Sequence, residues 1–328
     1  MPNTPCISNF TYFDSPEFLQ LSLHTITCFS TPANCLGVYC ILFKTPDQMK
    51  SVKWNLFTLH MWITVFDYSV SFLTVPYLLI PKIAGIPYGV LSTLGVPPSV
   101  QAVFTVTILA YMITSIISVY ENRFFILCQF RFKESWVQGR RIWLFLHYLI
   151  LSISLQTVFL LIPDQESAKQ EVFQSLPCLP DYIYNGPVYV LLTDLSYSIW
   201  QVITYVSIFL LEFIFFISQI VTTINEQKES MSQRTYQMHK QFFIALVIQL
   251  TVPFCMLSIP IFYGCSTLIF NYYNQAAMNF TVIVCNTHGC VATLVMILVH
   301  RPYRLAVREL IRCDGRLIRH STVSVQLA

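Results

Sequence analysis

Asp67 and Glu212 are the only charged residues inside the long apolar runs of this chain. An ionised carboxylate in a water-poor interior is costly, so it either faces a hydrated cavity, where it can hold a cation or a proton, or is hydrogen-bonded into the structure. Asp67 stands near the middle of its run and reads as an interior site, with a purely structural acid as the alternative. Glu212 has a longer stem that can reach polar groups nearer an interface, and structural and signalling roles are both open to it. Glu121-Asn122-Arg123 sets an acid two residues before a guanidinium. Positions two apart do not face each other on a helix, so a direct lock between them is not expected, and Arg123 is available to another element or to a partner protein. Its simpler reading is a positive anchor at the membrane edge. Pro253 and Pro260 interrupt one run, and each removes a backbone hydrogen bond and supplies a pivot. After Pro302, the four-residue spacing of Arg304, Arg308 and Arg312, with Leu305, Leu310 and Ile311 between them, predicts an amphipathic helix on a membrane surface. Cys313 at its end is a palmitoylation candidate. His24, His60, His147 and His288 are scattered along the chain, so no metal, cofactor or acid–base enzyme is suggested.

The elements that must position these residues follow from composition. Charged residues make up 11% and hydrophobic residues 55% of the chain, against about a quarter charged in soluble domains. The apolar residues come in runs long enough, at about 20 residues, to cross a bilayer as helices. Seven are predicted: Phe18 to Phe43, Asn55 to Ile80, Ser99 to Tyr120, Ile142 to Ile162, Ser196 to Ile224, Phe242 to Phe270 and Ala277 to Val299. The fold class is therefore an all-α membrane protein, a seven-helix bundle, divided into an N-terminal tail (1–17), a transmembrane domain (18–300) and a C-terminal tail (301–328). No Lys or Arg precedes the first run, and no cleavage site follows a short apolar core, so the first span is expected to act as a retained signal anchor.

Of nineteen Lys and Arg residues, only Lys82 and Lys169 fall in loops on the N-terminal side, and the other seventeen share the opposite side. The positive-inside rule then predicts an outside N-terminus and an inside C-terminus. A glycosylation sequon at Asn9-Phe10-Thr11 agrees with an exterior tail, whereas Asn279-Phe280-Thr281 lies within the last span, too near the membrane for modification. Cys6 and Cys178 are the two cysteines expected outside, and they either bridge the tail to the second outer loop or stay separate. A net charge of +3, dispersed over short loops, argues against a nucleic-acid partner.

Local motifs sharpen the architecture. Ile41-Leu42-Phe43-Lys44-Thr45-Pro46 followed by Met49-Lys50-Ser51-Val52-Lys53 resembles the first inner loop of nematode serpentine receptor class H chemoreceptors. Pro76-Tyr77-Leu78, Gln249-Leu250-Thr251-Val252-Pro253 with Pro260, and His300-Arg301-Pro302-Tyr303-Arg304 are similar to further motifs of that family. The resemblance implies a G-protein-coupled, GPCR-like receptor at the plasma membrane, in cilia of sensory neurons, that detects a small molecule and activates a heterotrimeric G protein. Compared with rhodopsin-like receptors, Asp67 and Pro76 occupy similar places in the second span. The resemblance implies a hydrated ion or proton site there, contact of Arg123 with the G protein or with span six, and an outward swing of the inner end of span six. The Trp that those receptors place before the sixth-span proline is missing here.

For the ligand pocket, Gln101, Phe104, Thr105 and Ile108 recur on one face of span three, and Tyr197, Trp200, Gln201 and Thr204 on one face of span five. Tyr263 joins them from span six. Such a set suits a small, largely apolar molecule with one or two hydrogen-bonding groups. A ligand-gated cation channel of the seven-helix odorant-receptor type is the alternative, but that architecture has its N-terminus inside. A transporter would show internal repeats or several intramembrane ionisable groups, and neither is seen.

Overall fold

The computed structural model describes residues 10–176, 179–229 and 232–312. Among them, seven helices are long and apolar enough to cross a bilayer. They are α1 (Pro16–Phe43), α2 (Lys50–Tyr68), α3 (Pro98–Leu127), α4 (Lys133–Gln156), α5 (Ser196–Glu226), α6 (Gln233–Phe270) and α7 (Gln275–Val299). A π-helical stretch, Ser69–Thr74, prolongs α2, and a 3-10 stretch, Thr157–Leu161, prolongs α4. Seven crossings put the N-terminal segment and the helix at 301–312 on opposite faces, termed here the N-terminal and C-terminal faces.

Caps set several boundaries. Ser15 Oγ accepts the Phe18 N–H at 3.1 Å with Pro16 as the first helical residue, Asn274 Oδ1 accepts from Ala277 at 2.9 Å, and Ser232 Oγ accepts from Thr235 at 3.2 Å. At 38 residues, α6 is about 57 Å long, well beyond the roughly 30 Å of hydrocarbon. It starts nine residues before the expected Phe242, because its polar first turns, with His239, are helical without being apolar. In the same way α3 runs past Tyr120 and carries Glu121, Asn122 and Arg123 inside the helix, and α4 starts at Lys133 rather than Ile142.

Span two is shorter than expected. Its helix stops at Thr74, not Ile80, because Pro76 has no N–H to continue the ladder and disfavours a helical residue before it; Val75 turns into the left-handed region at φ 41°. Pro76-Tyr77-Leu78 becomes β1 (Pro76–Leu78), which pairs antiparallel with β2 (Ile83–Pro87), itself paired with β3 (Tyr189–Leu192). Hydropathy alone could not separate that apolar strand from the helix before it. The sheet and the short helix Gln165–Ser175 lie at the N-terminal face, joined by the Gln165 side chain, which donates to Val190 O at 2.9 Å and accepts from Val190 N at 3.0 Å.

Packing divides the bundle into two apolar clusters. One, toward the C-terminal face, contains Ile41, Leu56, Tyr120, Ile220, Leu246 and Met296; the other, toward the N-terminal face, contains Leu23, Phe66, Tyr77, Ile108 and Val282. Between them α1, α2 and α7 contribute a buried polar layer of Asn34, His60, Asp67, Asn286, His288 and Thr293. α7 is packed mainly against α6 and α1, whereas α5 barely touches α6, and α4 buries only Leu151. Helices α4 and α5 are thus left largely to the lipid.

Candidate functional site

The polar layer is built around Asp67, which is 2% exposed. His288 Nδ1 lies 3.2 Å from its Oδ1 and 2.9 Å from the Cys285 carbonyl, its best-aligned acceptor. Gly289 packs so tightly on the carboxylate that a Cβ there would overlap it, so only glycine lets α7 approach α2 at this height. Gly37 is similarly closed by His60 and Thr293. Thr293 Oγ1 donates to Asn34 Oδ1 at 2.9 Å, and His60 Nε2 is 3.0 Å from the Asn34 carbonyl. Both Asp67 oxygens, the amide of Asn286, Asn34 Nδ2 and His288 Nε2 are buried without a well-formed hydrogen bond. Buried polar atoms rarely go unsatisfied, so this layer has the chemistry to hold ordered water or a small cation.

The other intramembrane acid follows the same rule. Glu212 Oε1 on α5 lies 3.1 Å from His147 Nε2 and accepts from Trp143 Nε1 at 3.2 Å, both on α4. The histidines that look scattered in sequence therefore supply one partner to each carboxylate within the bundle.

At the C-terminal face, three latches tie helix ends together. Glu121 accepts from Trp136 Nε1 at 2.8 Å and from Arg140 Nη2 at 2.6 Å, and the same Nη2 donates to Asn122 Oδ1 at 2.9 Å. As the i,i+2 spacing implied, Glu121 and Arg123 do not pair. Arg123, buried, donates instead to His239 Nδ1 of α6 at 2.9 Å, with its guanidinium carbon 4.6 Å from the Phe242 ring. Donation to Nδ1 requires a lone pair there, so α3 is joined to α6 through an imidazole, with no acid paired to the cation among the described residues. The third latch closes the chain: His300 Nε2 donates to Gln249 Oε1 on α6 at 2.8 Å, and the Tyr303 hydroxyl meets Thr45 Oγ1 at 2.8 Å beside the end of α1. Burial pushes the Tyr303 phenol up to about 12.

At the N-terminal face the segment before α1 is clamped down. Asp14 Oδ1 accepts the Ala276 N–H at 2.8 Å, placing its carboxylate at the start of α7, where the helix dipole favours it. Asn279 donates to the carbonyls of Phe13 (2.9 Å) and Ser15 (3.3 Å), and Tyr77 donates to that of Asp14 (2.7 Å). Burial, first, and the neighbouring Tyr182, Tyr273 and Tyr88 raise the Tyr77 phenol well above its ordinary value. Beside this clamp, a cleft of about 320 Å³ opens between a lid, formed by the three-stranded sheet and the helix Gln165–Ser175, and the ends of α5 and α6. Aliphatic Ile83, Val172, Leu192 and Ile199 line it, and a Lys82–Glu171 ion pair of 3.1 Å stands at its rim.

A bundle whose separated loop motifs meet at such latches calls for comparison with known receptors. The family model for the Srh chemoreceptors, described as serpentine type 7TM GPCR chemoreceptor Srh, matches residues 14–313. The chain belongs to the Srh family. It is also 29% identical to Serpentine receptor class H-72 of Caenorhabditis elegans over 312 residues, covering 94% of this chain and 89% of that protein. It is accordingly a seven-transmembrane chemosensory receptor of a family of receptors rather than enzymes.

Within this Srh receptor the residues singled out from sequence are distributed unevenly. Asp67, Glu121, Arg123 and Tyr303 take part in the layers and latches above, whereas Pro302 stands in the first turn of the helix at 301–312 and Arg304 bonds back to Leu298 O at 2.6 Å. Pro253 and Pro260 both lie inside α6, above the Gln249 latch. The nine residues proposed for ligand binding are not brought together. Gln101 is buried and spent on Val96 O (2.8 Å) and Ser92 Oγ (3.1 Å), Thr105 bonds back to Gln101 O, and Phe104 is 39% exposed. On α5, Trp200, Tyr197 and Thr204 face outward, and Gln201 donates to Ser154 O on α4 at 2.8 Å. Only Ile108 and Tyr263 share the cluster near the N-terminal face. The physical reason is that α5 turns its polar-aromatic stripe to α4 and the lipid. Cys6, Cys178, Asn9 and Cys313 lie outside the described residues.

Sequence reasoning missed His239, Arg140, His147 and the His288-Gly289 pair as functional residues. A signal existed for the last: a buried acid demands a partner on a neighbouring span, and few polar residues in the apolar runs could serve. His239 gave none, since it lies outside the apolar run.

Proposed function

We propose that this Srh receptor is oriented with its N-terminal face outside, takes a small, largely apolar molecule at the lid cleft, and activates a heterotrimeric G protein from its C-terminal face. The charge asymmetry of the loops supports the orientation. Aliphatic walls with a single ion pair at the rim favour a ligand with an apolar body and one or two hydrogen-bonding groups. The plasma membrane of sensory cilia is the location such a role requires.

The observation that carries the reading is the Arg123–His239 bond. It ties α3 to the projecting end of α6, the element interrupted by Pro253 and Pro260, so its release lets that end swing away and uncovers a buried cation for the G protein. The Asp67 layer, set between the two apolar clusters, links the two ends as a hydrated ion or proton site.

The test is a Gα-coupled reporter read against a volatile and small-metabolite panel, with surface level measured through an N-terminal epitope on intact cells. A hydrogen bond to a charged group contributes roughly 1.5–3 kcal/mol, so His239→Ala is expected to raise basal signal roughly tenfold or more. Arg123→Ala is expected to abolish the response at equal surface level. A cytosolic epitope, or wild-type signalling by both variants, would refute the assignment.

A further inference from the structure

The bundle has a second cleft, about 470 Å³, between α2, α3 and α4 toward the C-terminal face, and no part of the proposed signalling path fills it. Its floor is chemically closed: Asn55 Nδ2 donates to Ser118 Oγ at 2.8 Å, and the Glu121 carboxylate is held by Trp136 and Arg140. No free acid is left there to repel an anion. On its rim stands Arg141, exposed and without an ion pair or hydrogen bond among the described residues. Across from it is the exposed indole of Trp54.

A second observation extends the first. Phe145, Leu149 and Ile153 follow Arg141 at four-residue steps, and all three are exposed on α4, the helix that buries least in the protein. The surface is therefore a guanidinium at the membrane edge heading an apolar stripe that descends toward the bilayer centre, beside a cleft wide enough for a polar group. Charge and shape together match a lipid better than a soluble anion, because the stripe has no use for inorganic phosphate.

We propose that this cleft binds an anionic phospholipid, its phosphate on Arg141, its headgroup against Trp54 and the Asn55–Ser118 pair, and an acyl chain along Phe145, Leu149 and Ile153. The occupant braces α4 against α2 and α3 where α4 has few protein neighbours. This requires only that the bundle be embedded in a bilayer, and it stands or falls separately from ligand and G-protein assignments.

The full chain in nanodiscs of phosphatidylcholine with a minor fraction of phosphatidylserine or a phosphatidylinositol phosphate provides the test, with retained lipid read by native mass spectrometry. Wild type is expected to retain the anionic lipid in preference to phosphatidylcholine, and excess inorganic phosphate is expected not to displace it. Arg141→Gln is expected to lower that enrichment about fivefold, the effect of one basic residue at an anionic surface. Val137→Trp, which fills the cleft from its exposed wall, is expected to lower it without removing charge. Arg308→Gln, an exposed cation on the helix at 301–312 away from the cleft, is the control and should lower it by less than Arg141→Gln does. Wild-type enrichment in both cleft variants, displacement by inorganic phosphate, or an equal loss in Arg308→Gln would overturn the proposal. Unchanged circular dichroism and melting in pure phosphatidylcholine confirm that each variant is folded.

Discussion

The half of the bundle made by α1, α2 and α7 and the half made by α4, α5 and α6 are held together by different physics. In the first, side chains cross between helices through a buried polar layer in which Asn34, His60, Asp67, His288 and Thr293 sit within hydrogen-bond reach and two glycines let the backbones close. In the second, ties are sparse. Helix α5 holds α4 through Gln201 and Glu212, and α6, though packed along α7, is hydrogen-bonded to α3 through His239 and to the chain's end through Gln249. Dense buried networks over-determine a geometry, while an element fixed at a few points can move once those points let go. The contrast assigns α1, α2 and α7 to the frame and the projecting end of α6, which carries His239, to the moving part.

The sharpest way to break this comparison is to overfill the frame. Gly289→Ala would drive a methyl into the Asp67 carboxylate, so the carboxylate or the helices carrying the two residues must shift to admit it. Overpacking at such a place is expected to cost about 3 kcal/mol, read as a large fall in melting temperature and surface level. Gly289→Ala with Asp67→Ala should recover much of that loss, because the two residues couple directly. By contrast Trp200→Ala, on the lipid-facing side of α5, should stay within about 0.5 kcal/mol. Equal losses at the two positions would erase the distinction between frame and moving part.

A smaller effect probes the fastening of α6. Gln249→Ala leaves His300 buried with its Nε2–H unpaired, an expected cost of about 1–3 kcal/mol. Tyr303→Phe removes one hydroxyl bond to Thr45 and should cost about 1 kcal/mol. If the projecting end of α6 is the moving part, Gln249→Ala should also raise basal reporter signal, while Tyr303→Phe, which fastens α1, should not. A rise in both, or in neither, would remove Gln249 from the latch.

The frame was more legible in the sequence than the moving part, and the reason is physical. Hydropathy marks a helix only where it meets lipid, so the seven crossings were readable, but the polar turns of α6 that carry His239 and those of α4 that carry Arg140 were not. An acid in an apolar run announces itself by its solvation cost, which made Asp67 readable, whereas the histidine that answers it is chosen by three-dimensional proximity. The class H motifs were visible as residues, but not that Thr45, Gln249, His300 and Tyr303 would meet at one end of the bundle. The ligand face failed to gather because a stripe of aromatic and polar residues on a helix looks the same whether it faces a cavity, another helix or lipid.

The smallest expected effect lies at the N-terminal face, in the lid. The helix Gln165–Ser175 starts at Asp164, whose Oδ2 accepts the Ser167 N–H at 3.1 Å and the Ser167 hydroxyl at 3.0 Å. Those two bonds, the backbone one first, hold the Asp164 carboxyl below its ordinary value of 3.8. A folded-state value below the unfolded one means that the cap's contribution is complete above the unfolded value and is lost as pH falls through the folded one. Acidification from neutral to below 4 should therefore lower the amide protection factors of residues 165–175, exchange being corrected for its intrinsic pH dependence, with no change in those of the α1, α2 and α7 frame over the same range. Asp164→Asn keeps a capping side chain but has no proton to gain, so protection in that helix should be high at neutral pH and should fall less on acidification. The comparison with the frame decides what such a loss of protection means. If residues in α7 loosen together with the lid, the clamp at Asp14 has carried the change into the frame, and the lid cannot be treated as a separate surface element.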